Sequence, residues 1–335
     1  MERLHIVGQG IAGTALAWQC RQREVPFRIY DEPRASTASK VAAGLVTPIA
    51  GQRLTLTQGW SFLTEMESFY RNVSSLLGTT FYHRYETVRF LANDVEATRW
   101  QKRIGDPVFE EELLPGAPSL ANEVFHTPAF GTFRMKRAGF LRVNAWLEAS
   151  RGWFRKEGGY EEARIDIEGC DPGVGTWVFA NGPWMLGLSS FDWLPMRFAH
   201  GDILTLSIPD LADDRRIFSS SAWLLPLGDG LWRAGSTYEA VGHPETLPSA
   251  NGRASVDANV QTILRCPYDV VDHVAAVRPV TLTRFPTMGR HPGKPHLAWF
   301  GGFSSKGVLT APTYARRFLD HLLDGEALPS EVAER

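Results

Sequence analysis

The chain opens on a strand pattern, Leu4-His5-Ile6-Val7, that runs straight into Gly8-Gln9-Gly10-Ile11-Ala12-Gly13. A GxGxxG spacing arises by chance in glycine-rich chains, so its meaning depends on what flanks it. Here a helical pattern follows over residues 11–23, and a second strand over 27–30 ends in Asp31-Glu32. Gly8 permits the tight turn, Gly10 lets a pyrophosphate approach the backbone, and Gly13 lets the helix pack on the strand. Ile11 and Ala12 stand where the helix N-terminus offers free N–H groups and positive dipole to phosphates. Asp31 lies eighteen residues beyond Gly13, where a carboxylate accepts hydrogen bonds from a ribose and repels a 2′-phosphate. The pattern therefore points to FAD or NAD rather than NADP. Glu32 is the second acid at that place, a ribose ligand or a solvated turn residue. The alternative for the whole segment is a structural βαβ unit with no nucleotide.

The 335 residues leave room for one large core or two ordinary domains. Hydrophobic residues make up 44% and charged residues 21%, a globular balance. A formal net charge of -2 supplies no basic field for nucleic acid or anionic membrane. There is no apolar run long enough to span a bilayer, and glycines interrupt the first apolar stretch where an export signal would continue. A cytoplasmic enzyme is expected. Cys20, Cys170 and Cys266 are isolated, with no CxxC, and read as reduced, buried residues. The histidines form no HExxH or HxH pair, so no metal site is expected.

Further along, residues 36–44 form a loop of small residues and residues 58–76 carry helical periodicity. Residues 81–90 alternate like a strand, and residues 123–142 read as a meander of short strands broken by glycine and proline. Residues 143–156 are again helical, and strands are expected at 163–167 and 176–180. A second β-rich block covers 196–238, including a strand over 231–238. After a helix at 256–264 come strands at 274–282 and 297–300, then a glycine loop and a helix at 310–323. The expected fold class is α/β, in α+β two-domain form, with a Rossmann-type nucleotide-binding domain twice interrupted by an antiparallel β-sheet substrate domain. The first domain takes residues 1–79, 140–195 and 270–335; the second takes 80–139 and 196–269. Ligands in such proteins sit at the junction.

Five segments, in order, resemble the D-amino-acid oxidase/glycine oxidase superfamily of FAD-dependent oxidoreductases. They are the loop with Ser39 and Ala42-Ala43-Gly44-Leu45, then Phe179-Ala180-Asn181-Gly182-Pro183-Trp184, then Gly235-Ser236-Thr237-Tyr238-Glu239. Val277-Arg278-Pro279 and the ending Phe300-Gly301-Gly302-Phe303-Ser304-Ser305-Lys306-Gly307 complete the set. The resemblance implies an extended FAD, with its adenine end near Asp31 and its flavin at the domain junction. Ser39, Asn181, Gly182, Trp184, Gly302, Phe303, Ser304, Ser305, Lys306 and Gly307 fall on segments that would contact it. Positive dipole from the last helix, and a charge from Lys306, would stabilise reduced flavin at N1 and O2. Lys306 is otherwise a solvated lysine.

The resemblance also implies that Arg278 clamps a substrate carboxylate and that the Tyr238 hydroxyl orients the substrate. Read alone, Arg278 is a structural ion-pair residue, Tyr238 a core tyrosine and Trp223 a core residue. Histidine is common in the family's last glycine loop, where this chain has Phe303 and Ser304. No attachment cysteine stands near Arg278, so non-covalent FAD is expected. The expected reaction is oxidation of the C–N bond of an amino acid or related amine, with hydride passing to flavin N5. Oxygen or another acceptor then takes the electrons. The last loop also resembles the oxidase half of enzymes that modify the wobble uridine of tRNA. A flavin oxidase of that kind and a non-catalytic FAD-binding protein are the alternatives, although a nucleic-acid partner fits poorly with the charge.

Overall fold

The computed structural model describes residues 3–51, 53–109, 112–116, 120–244, 246–283 and 285–332. The expected opening is present as strand Leu4–Val7, helix Ile11–Gln22 and strand Phe27–Asp31. These strands belong to a six-stranded sheet in the order Tyr160–Glu162, Phe27–Asp31, Leu4–Val7, Thr176–Phe179, Lys294–Gly301, Thr287–His291. The first five run parallel, and Thr287–His291 closes the edge antiparallel.

Alternation along each strand sorts the two faces of this sheet. Ile6, Val178, Ala298 and Phe300 point into the larger core, which the helices Ile11–Gln22, Trp60–Leu77, Val143–Lys156 and Gly307–Asp324 complete through Trp18, Tyr70, Trp146 and Phe318. Val7, Trp177, Phe179 and Trp299 point the other way, onto Phe191 and Leu194. That face is covered by the 3-10 turn Gly182–Gly187 and irregular chain.

Several local expectations shift. The strand expected at 163–167 lies at Tyr160–Glu162, where Tyr160 pairs with Ile29, while Ala163 and Ile165 pack on the second core. The loop at 36–44 contains one helical turn, Ala38–Val41, started by Thr37 Oγ1 accepting from Lys40 N–H at 3.2 Å. The helix Asp94–Arg103 lies in a stretch to which the sequence reading assigns no element. Its start is chemical rather than periodic: Asn93 Oδ1 accepts from Glu96 N–H at 3.0 Å, and the Glu96 carboxylate accepts from Ala92 N–H at 3.1 Å.

The second sheet has nine strands arranged around Met196–Ser207. Asp269–Thr281 pairs along one edge of that strand, and Leu231–Gly235 and Glu239–Val241 pair along the other. The order then continues through Trp223–Gly228, Ile217–Ser219, Thr87–Phe90, Thr132–Met135 and Leu113–Pro115. Pairing is antiparallel throughout except between Ile217–Ser219 and Thr87–Phe90, which run parallel. The antiparallel sheet expected from the sequence is therefore present, with this one parallel pair within it. The two strands come from separate insertions, so no hairpin dictates their relative direction. The helix Ala250–Gln261 covers the back of this sheet, with Val256 and Val260 packed among Leu204, Leu206 and Trp232.

We propose that residues 1–79, 140–195 and the chain from about 282 form one unit, with 80–139 and 196–281 as the other. The expected boundary after 269 falls at the first residue of Asp269–Thr281, whose ladder with Met196–Ser207 belongs to the nine-stranded sheet. Cys20, Cys170 and Cys266 are free and buried, each in a different core. Among the described residues no helix is long and apolar enough to cross a membrane.

Contact between helix and turn at the opening motif is close. A Cβ on Gly13 would stand 2.0 Å from Gly8 O, a backbone atom that cannot rotate away. Gly13→Ala should therefore cost about 1–3 kcal/mol, read as a lower denaturant midpoint with an unchanged slope. An unchanged midpoint would refute this account of Gly13.

Candidate functional site

A cavity of about 1180 Å³ opens at the carboxyl ends of Leu4–Val7 and Thr176–Phe179 and runs to the face of the nine-stranded sheet. Strand order reverses direction at Leu4–Val7, and crevices at such points are the usual ligand sites of parallel sheets. Every residue expected at the cofactor lines this cavity except Gly13 and Lys306.

The glycine turn builds one end. Gly8 has φ +102°, and a Cβ there would lie 2.7 Å from Asn181 Cα, so the turn and the Asn181 loop touch backbone to backbone. The helix Ile11–Gln22 starts at Gly10, which offers no capping side chain, and has no acid in its first turn. Ser39 Oγ accepts from Ile11 N–H at 3.0 Å, which brings the small-residue loop over the helix start. Asp31 Oδ1 accepts from Gln9 N–H at 2.8 Å. Burial raises the Asp31 carboxyl above its ordinary value, against the lowering effect of that hydrogen bond. Glu32 also faces the cavity and pairs with Arg34 at 2.5 Å.

Sequence reasoning missed Gln9, Arg34, Lys40 and Arg151, which also line this end. Arg151 Nε donates to Gln9 Oε1 at 2.7 Å, bringing a cation from the helix Val143–Lys156 to the glycine turn. Nothing in local spacing signals that contact. Arg34 lies over the Trp184 ring at 4.2 Å from its centroid. On the same wall, Asn181 Oδ1 and Trp184 Nε1 are buried with no hydrogen-bond partner among the described residues. A helix N-terminus with no acid in its first turn, the Asp31 carboxylate on the cavity wall and two orphaned polar atoms fit a dinucleotide such as FAD.

At the other end the last glycine loop is tied to the strand carrying Arg278. Ser304 N–H donates to Pro279 O at 3.3 Å, and Phe303 forms a bridge with Val280. Gly302 has φ +73°, with Thr281 Cγ2 2.6 Å from where a Cβ would be. Arg278 crosses above Gly201, whose missing Cβ would lie 2.3 Å from Arg278 Nη2. The guanidinium donates through Nη2 to Thr237 O at 2.6 Å and His200 O at 3.3 Å, and through Nη1 to Ser236 Oγ at 3.4 Å. Its Nε is buried without a partner, and no carboxylate pairs with the group among the described residues. Burial lowers its pKa, which costs stability without removing the charge of so strong a base.

Tyr238 is not where the resemblance implied. It is 61% exposed and outside the cavity lining, and its ring lies against the Arg278 guanidinium at 5.1 Å. Trp223, read from sequence as core, lines the cavity, with its ring filling the space a Cβ on Gly235 would need. Lys306 stands at the N-cap of Gly307–Asp324 and is not among the residues lining the cavity. The residue is partly exposed, yet burial of its side chain lowers the ammonium pKa to about 8.

A glycine turn at the carboxyl end of a parallel sheet, a second, nine-stranded sheet and a cavity that runs between them are the features of a dinucleotide-binding fold. The family described as FAD dependent oxidoreductase, DAO, matches residues 3–320, and the chain belongs to it. It is an FAD-dependent oxidoreductase. The fold is similar to iminodiacetate oxidase from Chelativorans sp. BNC1, with TM-score 0.80 and 17% identity over 98% of this chain and 97% of that one. Glycine oxidase from Geobacillus kaustophilus gives 0.78 and 16% over 98% and 96%. L-proline dehydrogenase from P. horikoshii gives 0.75 and 14% over 97% and 94%.

Lys306 generates a test of pH dependence. Its folded pKa of about 8 lies below the ordinary 10.5, so the unfolded chain binds more protons between those values. Stability contributed through this group therefore rises as pH climbs from about 8 to 10.5. Lys306→Met should be more stable than the parent at pH 7, with the gap closing toward pH 10.5. Midpoints from chemical denaturation across that range check it, and a gap constant with pH would refute the burial of the charge.

Proposed function

We propose that this oxidoreductase oxidises the C–N bond of an amino acid, or of a related primary or secondary amine bearing a carboxylate, with dissociable FAD. The observation that supports this reading is Arg278, a half-buried, desolvated guanidinium on the cavity wall with carbonyls and a hydroxyl around it but no acid among the described residues. A buried cation without a counter-charge costs folding free energy, and a ligand carboxylate would offset that cost through a bidentate contact. The names of the similar folds, iminodiacetate oxidase, glycine oxidase and L-proline dehydrogenase, support a small amino-acid substrate.

When bound, the flavin would supply hydride acceptance at N5. The chain's residues would hold the substrate. Arg278 fixes the carboxylate, Gly201 leaves the space for it to do so, and Ile203 and Trp223 give an apolar wall that limits water. Positioning of this kind accounts for much of the barrier reduction when a bimolecular step becomes intramolecular. Oxygen or another acceptor completes the cycle.

Cys20, Cys170 and Cys266 are all absent from the cavity lining, which supports dissociable FAD. Acid precipitation should release the yellow colour to the supernatant, and colour retained in the pellet refutes non-covalent binding. For the clamp, Arg278→Ala should cost about 3–5 kcal/mol in transition-state stabilisation, a loss of about a hundredfold to several thousandfold in kcat/KM. Arg278→Lys should recover part of it, because an ammonium keeps the charge without the planar fork. Substrate-dependent bleaching of the flavin across amino acids and matched carboxylate-free amines is the assay. Equal losses on both substrate types would assign Arg278 to the fold or flavin instead.

A further inference from the structure

Two residues face three beside Arg278. Gly235 stands opposite Ile203, and the next ladder pair is Glu239 opposite His200. Between them Gly201 and Asp202 face Ser236, Thr237 and Tyr238, the count of a β-bulge. Bulges release backbone groups from the ladder and re-aim them, often beside active sites. Here the freed Thr237 carbonyl accepts from Arg278 Nη2 at 2.6 Å. The Asp202 N–H donates to Thr237 Oγ1 at 2.8 Å, and that hydroxyl donates back to Asp202 Oδ2 at 3.0 Å.

Asp202 is fully buried, at 0% exposure. Alternation sends it away from the cavity that Gly201 lines, toward the helix Ala250–Gln261, where a Cβ on Gly252 would lie 1.8 Å from its Oδ2. Its carboxylate accepts from His200 Nε2 at 2.7 Å, His273 Nε2 at 2.8 Å and Ser249 N–H at 3.0 Å. Both residues whose carbonyls receive Arg278, His200 and Thr237, thus have side chains that end on this one carboxylate. The reaction proposed above has no use for an acid on this side of the sheet.

We propose that Asp202 is a positioning residue: it locks the bulge at Thr237 and so fixes the direction in which Arg278 meets a substrate carboxylate. This rests on the reading of Arg278 as the carboxylate-binding group. Thr237 is the joint between the two, because its hydroxyl belongs to Asp202 and its carbonyl to Arg278. Without the hydroxyl the Asp202 N–H loses its acceptor and the bulge is free to relax, carrying the carbonyl with it.

The test uses the FAD-loaded enzyme titrated with anthranilate, a simple aromatic carboxylate, followed by the shift in flavin absorbance. Thr237→Val should raise the anthranilate Kd about tenfold, whereas Thr237→Ser, which keeps the hydroxyl, should stay within about twofold. Asp202→Asn should weaken binding at least as much as Thr237→Val; if that variant does not fold, the Thr237 pair decides. FAD content should match wild type in both Thr237 variants. In an Arg278→Ala background, Thr237→Val should add no further loss, since the hydroxyl acts only through the guanidinium. An equal effect of serine and valine, no effect of valine, or a full additional loss on top of Arg278→Ala overturns the role of Asp202. No binding by wild type, or binding unchanged in Arg278→Ala, overturns the carboxylate reading and this inference with it.

Discussion

The antiparallel pairing of Met196–Ser207 with Asp269–Thr281 runs for twelve residue pairs, from Met196 opposite Thr281 to Ser207 opposite Asp269. Each half of the cavity is attached to it. Ser36 Oγ donates to Ala275 O at 2.9 Å, which ties the nucleotide-side loop to the second strand of the pair. Four residues on, Pro279 O receives Ser304 N–H, which ties the last glycine loop to the same strand. The guanidinium between these anchor points lies over a glycine of the first strand. A rigid ladder thereby sets the spacing between the glycine loop and the cation, two features that come from distant parts of the chain.

Polar groups are spread unevenly along the cavity. The nucleotide end combines a helix dipole, Arg34, Lys40 and Arg151 with the acids Asp31 and Glu32, so it can meet phosphates and hydroxyls together. The sheet end has a single guanidinium, held by the His200 and Thr237 carbonyls and the Ser236 hydroxyl with Ile203 and Trp223 nearby, where one charge interaction is strong because little water competes. A ligand pair with hydroxyls and phosphates on one partner and an acid on the other matches that division.

Residues whose roles depend on neighbours in sequence were legible from the sequence. The opening motif needs only a strand, a turn and a helix start, and Val143–Lys156 announces itself by periodicity alone. Direction within the second sheet was harder to read. A strand over 231–238 implies strict alternation, but regular pairing stops at Gly235 and the bulge shifts the phase, so Tyr238 turns outward. The contacts of Asp202 with Thr237, Ser249 and His273 span 35, 47 and 71 residues. No local pattern encodes separations of that size. Trp223 escaped for a similar reason, since an aromatic residue at a strand start looks the same whether it faces a core or a ligand.

The three thiols have a use as reporters. Cys20 lies in the core under the nucleotide sheet, Cys170 in the core on its other face, and Cys266 beneath the helix-covered back of the second sheet. Burial pushes every one of them above the ordinary thiol range, Cys170 to about 11, so reaction with an alkylating reagent requires local opening. Their separate alkylation rates in the unmodified chain would read the opening of three regions independently, without introducing a label. Comparing those rates with and without flavin would show which parts of the architecture the cofactor holds closed.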